Sequence, residues 1–130
     1  MTKYDLTLGD WVRIGNGEPT RVTELAHDYV RVAGMFSDQA YGHVEPIPIT
    51  KEILEKNGFK IDMYSTLQLG DGKWLEYYHH ESRLRMWWKG IDEWENHAEV
   101  TYLVFQCHVW YVHELQHALR LCKIDKEIKL

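Results

Sequence analysis

The stretch His113-Glu114-Leu115-Gln116-His117 has the residue types and spacing of a catalytic metal site. Two histidines four positions apart lie one turn apart on a helix, where both imidazoles can ligate zinc while the glutamate polarises a bound water. The chemistry would be zinc-dependent hydrolysis, with His113 and His117 as ligands and Glu114 as general base. Three features weigh against it. At 100° per residue the apolar positions Val112, Leu115, Leu119 and Cys122 centre almost opposite His113 and His117, so the His pair is expected to face solvent or a partner. Thirteen residues follow His117, too few for a further helix bearing a third ligand, and Asp125, Glu127, His79 or His80 would have to serve. Arg120 shares the histidine side, and a nearby cation disfavours a metal ion. The favoured expectation is therefore no metal and no cofactor, with zinc at His113 and His117 as the alternative.

A second constellation lies between residues 74 and 94, which hold Trp74, Trp87, Trp88 and Trp94 of the six tryptophans. Tyr77, Tyr78, His79, His80, Arg83, Arg85 and Lys89 accompany them. Alternation from Arg83 to Lys89 sends Leu84, Met86 and Trp88 to the core and leaves Arg83, Arg85, Trp87 and Lys89 on one exposed face, with Tyr78 and His80 close in sequence. Guanidinium groups take phosphate oxygens bidentately while an indole stacks on a ring, so the face suits a phosphorylated, base-containing small molecule. It suits an acidic protein partner equally, since Trp and Arg are frequent interface anchors. The plain alternative is a solvated sheet face whose cations pair with Glu76, Glu81, Asp92 and Glu95.

These residues need elements to hold them. Trp11 to Ile14 and Thr20 to Thr23 flank Asn16-Gly17, a hairpin dipeptide that tolerates two positive φ values. Asp28 to Val32 alternates, with Val30 and Val32 on one face. Short twisted strands of this kind predict an SH3-like barrel or curled sheet over residues 1–45. Pro46-Ile47-Pro48-Ile49 must be extended. Thr50 then caps a two-turn helix, with Glu52 in its first turn and Asn57-Gly58 as its left-handed stop. Asp71-Gly72 marks another hairpin. Glu99 to Cys107, apolar on both faces, reads as a central strand. A longer helix over about residues 110–122 follows, and the tail from Asp125 either adds a strand or lies across the surface. The fold class is α+β, mostly antiparallel, in a single domain 1–130 with subdivisions 1–45 and 46–130.

Composition narrows the function classes. With 20 Asp+Glu against 15 Lys+Arg, the net charge of −5 argues against nucleic-acid binding through bulk charge. Apolar runs are too short for a membrane span, and the start of the chain lacks a basic-then-apolar signal segment, so a cytoplasmic location is expected. Cys107 and Cys122 are read as reduced thiols, Cys107 buried and inert. Phosphate-binding glycine loops and serine-nucleophile motifs are not seen, with Ser37 and Ser65 in no such context. His27, His43 and His97 read as exposed loop residues.

Three segments, Leu8-Gly9-Asp10-Trp11-Val12, Pro46 to Thr50 with Glu52 to Phe59, and Tyr111-Val112-His113 with Leu115-Gln116, resemble a family of small proteins encoded by gut bacteria, their mobile elements and their phages. In that family Gln commonly stands at the position of Glu114, and a second His at the position of His117 is not required. The resemblance implies a structural role for the last helix and carries no catalytic residue with it. The combined expectation is a non-catalytic accessory protein acting in counter-defence in a host cytoplasm. It would bind a host protein or a nucleotide-like anion through Arg83, Arg85, Trp87, Lys89, Tyr78 and His80. A zinc hydrolase and a structural homo-oligomer are the alternatives.

Overall fold

A computed structural model describes residues 1–2, 5–91 and 99–130. The chain is α+β, and its described residues form mostly antiparallel strands in two sheets and two short helices. It forms two compact units: Met1–Ile49 with Trp110–Ile128 and Leu130, and Thr50–Val109 with Lys129. Among the described residues, no helix is long and apolar enough to cross a membrane.

In the first unit, β1 (Trp11–Ile14), β2 (Thr20–Leu25), β3 (Tyr29–Val32), β4 (Gln39–Ala40) and β5 (Val44–Pro46) form one sheet in the order β4-β3-β2-β1-β5. A 3-10 turn, Tyr41–His43, lets β5 return to β1, placing Ile14 opposite Val44. The pairing of β2 with β3 shifts register between Val22 and Glu24, the kind of irregularity that bends a strand and curls a sheet. Alternation then drives Val12, Val22, Val30, Val32 and Val44 inward onto Leu6 as one buried cluster. Each such side chain contributes about 1.5–3 kcal/mol of burial. The β1–β2 turn differs from the sequence expectation: the positive φ falls on Gly15, while Gly17 N–H donates to Ile14 O at 3.0 Å.

Helix α2 (Val112–Leu121) belongs to this unit, and Val112 N–H donates to Ile47 O at 2.8 Å. Val112, Leu115, Ala118 and Leu119 are buried, whereas Cys122 at the end of the expected stripe is only half-buried. The tail makes no strand. Ile128 is fully buried, its N–H donating to Gln116 Oε1 at 2.7 Å and its carbonyl accepting from Trp11 Nε1 at 2.9 Å.

In the second unit, α1 (Lys51–Lys56) starts at Thr50, whose Oγ1 accepts from Ile53 N at 3.2 Å, and it stops at Gly58 with φ +91°. Asn57 is buried and bridges chain segments: Nδ2 donates to Ile53 O and Lys129 O, and Oδ1 accepts from Lys129 N, each at 2.7 Å. Strands β6 (Lys60–Ile61), β7 (Ser65–Gly70), β8 (Lys73–Tyr78), β9 (Arg83–Ile91) and β10 (Glu99–His108) form a sheet in the order β10-β9-β8-β7-β6. Asp71 and Gly72 both have positive φ, 53° and 75°, as the expected hairpin requires. The register sets Leu75 opposite Met86 and Tyr77 opposite Leu84, four buried side chains on one face.

Two expectations are corrected in this sheet. Trp88 is not a core residue but is 39 % exposed at the end of the inward row, stacked on Tyr102 at 5.3 Å. Strand β10 is not central: it is an edge strand, with Tyr102, Leu103 and Val104 all exposed. Apolar residues on both faces signal a strand wanting cover on both sides, and this order of strands does not supply it.

Candidate functional site

The outer row of β8 and β9 is the strongest candidate. Period-two alternation places Trp74, Glu76 and Tyr78 beside Trp87, Arg85 and Arg83 in three successive cross-strand pairs. Glu76 is only 8 % exposed, yet both its oxygens are engaged: Trp74 Nε1 donates to Oε1 at 2.8 Å, and Tyr78 Oη donates to Oε2. Burial, then the Glu76 carboxylate, pushes the Tyr78 phenol up to about 12, so Tyr78 stays a neutral donor. The Tyr78 ring packs against Tyr64 at 5.1 Å, and the Arg85 guanidinium lies 5.0 Å from its centre, a cation–π contact.

The face is less open than expected, since Arg83, Arg85 and Trp87 are half-buried and Lys89 is exposed, and its cations are not equivalent. Arg83 pairs with Glu81 at 3.5 Å, and Lys89 pairs with Glu99. These are ion pairs of the kind a solvated face carries, although Glu99 is a partner that sequence reading did not name. Arg85 differs. Its Nε is buried without a hydrogen-bond partner, and so is Nε1 of Trp87 two residues along the same row. A buried donor left unpaired costs about 1–3 kcal/mol, and Arg13 Nε and His113 Nδ1 are buried without a partner in the same way. His80 lies exposed in the β8–β9 turn and takes no part in the row. Trp94, Asp92, Glu95 and His97 lie outside the described residues.

The histidines of α2 are placed otherwise than expected. His113 is 4 % exposed, and His117 is half-buried with Nε2 donating to the Asp10 carboxylate at 2.9 Å. The His side of the helix is thus largely covered by protein, with the buried acid Asp10 as the partner of His117, and His113, Glu114 and His117 line a surface pocket together with Asp5. Thr7 N and Thr7 Oγ1 also donate to Asp10, at 2.8 and 3.0 Å. Burial pushes Asp10 up, but the bonds from His117 and Thr7 outweigh it and hold the carboxyl below its usual range. Burial pushes His113 down, favouring neutral imidazole, and its Nδ1 has no partner. Glu114 Oε1 accepts from Trp110 N and Tyr111 N at 3.0 and 3.1 Å. That carboxylate satisfies amides at the helix start, the role of a capping residue. Among the described residues, no group of three or more His, Cys, Asp or Glu is arranged to hold a metal. His113 and His117 form an edge-to-face ring pair 5.6 Å apart.

Sequence reasoning missed three participants. Asp10 was visible only as part of a strand entry, Glu76 only as a surface counter-ion, and Ser65 as a serine without context. Ser65 Oγ lies 3.0 Å from His79 Nε2, but Ser65 is fully buried, and a hydroxyl closed off from solvent meets no substrate. His27 and His43 are exposed, as expected, and Cys107 is half-buried rather than buried.

Fold and site together define an α+β protein with an aromatic and cationic sheet face. No protein-family model matches the chain, and no curated protein or solved structure matches it either.

Proposed function

We propose that this protein is a non-catalytic binding module that takes a small anionic, ring-bearing ligand of the nucleotide class on the outer row of β8 and β9. The observation that carries the reading is the pair of buried, unpartnered donors, Arg85 Nε and Trp87 Nε1, in a row that also holds Trp74 and Tyr78. Phosphate oxygens match the donors, and the indole and phenol rings match a base. Opening the row requires Trp87 to turn outward, a side-chain rotation that exchanges an unpaired indole N–H for a hydrogen bond and a stacking contact. In the phage or mobile-element setting implied by the sequence resemblance, sequestering a signalling nucleotide would serve counter-defence, and the same face would otherwise hold a host protein.

Calorimetric titration with a panel of cyclic and linear nucleotides tests the proposal. The expected result is saturable binding to one of them, lost in the Arg85→Glu, Trp87→Ala double variant whose circular dichroism is unchanged. Binding that survives both substitutions would place the ligand elsewhere, and a panel that gives no heat with the parent protein would leave a host protein, sought by pull-down from lysate, as the occupant.

A further inference from the structure

The His side of α2 carries a second inference, independent of the ligand proposed above and confined to the first compact unit. A cavity of about 560 Å³ opens there, within the roughly 300–1,000 Å³ of small-molecule sites. Asp5, Glu114, His113 and His117 line it, and no lysine or arginine is among the described residues that do so.

Bonds within the chain set these walls before any ligand arrives. Thr2 N and Thr2 Oγ1 donate to Asp5 Oδ2 at 2.8 and 3.1 Å, leaving Oδ1. Those bonds, with the Met1 amino group nearby, hold the Asp5 carboxyl below its usual range. Glu114 accepts the Trp110 and Tyr111 amides through Oε1, leaving Oε2. His117 is tied to Asp10 through Nε2. His113 is the exception among them: it is 4 % exposed, its ring lies parallel to that of Tyr111 at 6.0 Å, and its Nδ1 is buried without a hydrogen-bond partner. Burial favours its neutral form, and a neutral imidazole with its proton on Nε2 accepts a hydrogen bond at Nδ1. Two carboxylates and one neutral imidazole thus border a single cavity with acceptor atoms left over.

We infer that this cavity binds a guanidinium group, which donates to Asp5, Glu114 and His113. The anionic lining calls for a cation rich in donors. A bare metal ion does not suit it, because among the described residues no group of three or more His, Cys, Asp or Glu is arranged to hold one. Guanidinium suits it better, since five N–H donors spread over a planar fork reach acceptors that lie too far apart for direct metal bonds. Its flat face also stacks on aromatic rings, and Tyr111 lines the same cavity. An ammonium is a compact, strongly hydrated point charge and gains neither the fork nor the stack. A small molecule and an arginine side chain of a peptide present the same group, and the prearranged walls lower the ordering cost for either.

Titration of the ¹⁵N-labelled full chain with butylguanidinium is expected to move the Tyr111, His113 and Glu114 amide resonances to saturation. Butylammonium, of equal charge, is expected to bind about tenfold more weakly. Glu114→Gln, which keeps the acceptor for the helix amides, and Asp5→Asn should each raise the Kd about tenfold, the loss typical of one charge-assisted bond. Asp5 is exposed, so its variant reads binding even if Glu114→Gln disturbs the helix start. Acetyl-Gly-Arg-Gly-amide separates the two sources: binding tighter than that of butylguanidinium assigns the group to a peptide side chain, and equal or weaker binding to a small molecule. Resonances that stay in place with both guanidinium probes at tens of millimolar overturn the inference. So do equal affinities for the two butyl cations, or a Kd indifferent to both Glu114→Gln and Asp5→Asn.

Discussion

Glu114 stands in a catalytic motif and also has a structural task. Its carboxylate receives two amides at the start of α2, so its deletion should cost stability. Glu114→Ala is expected to lower unfolding free energy by about 1 kcal/mol, while Glu114→Gln, which keeps an acceptor oxygen, loses less, as denaturant titration would show. A hydrolase base would reverse that order of importance, because the Gln variant would be as dead as the Ala variant. His113 makes a second residue-scale prediction. A buried histidine pushed down binds its proton less readily folded than unfolded, so its contribution is intact above the unfolded pKa near 6.5 and is lost as pH falls toward the folded value. Thermal midpoints should therefore drop between pH 7.5 and 5, and His113→Phe should flatten part of that slope. Burial also pushes His79 down, so the remaining slope is expected to be finite.

At the scale of elements, local chemistry was the readable part. The Thr50 cap, the Asn57-Gly58 stop and the Asp71-Gly72 hairpin all follow from backbone preferences that act within four residues. Gly72→Ala tests the hairpin: it meets both a φ of +75° and a Cβ 2.9 Å from Lys89 O, so a destabilisation above about 1 kcal/mol is expected by chemical denaturation. What could not be read were partners distant in sequence. The periodicity of α2 identified the buried Val112, Leu115 and Leu119, yet the opposite side was expected to face solvent or a partner, because Asp10 lies 107 residues away from His117. The same limit explains β10: an apolar alternation reports what a strand would bury, not whether its own chain supplies the cover. The face built from Arg83, Arg85 and Trp87 was legible because strand alternation is local; which of its cations are already paired was not.

Across the whole molecule, the net charge of −5 and the cationic row act in opposite directions. A ligand held by Arg85 through charge-assisted bonds should bind more weakly as salt rises, whereas random duplex DNA should show no mobility shift at 150 mM salt on the order of physiological strength. Ligand binding on this row requires Trp87 Nε1–H to be an unpaired donor that the ligand engages. Indole ¹H–¹⁵N resonances report this directly, and the Trp87 signal is assigned by its loss in Trp87→Phe. Titration with the nucleotide that gives calorimetric heat should move that signal downfield, as a new hydrogen bond requires, and Arg85→Glu should abolish the movement. Saturable binding that leaves the Trp87 indole signal where it was would contradict the account.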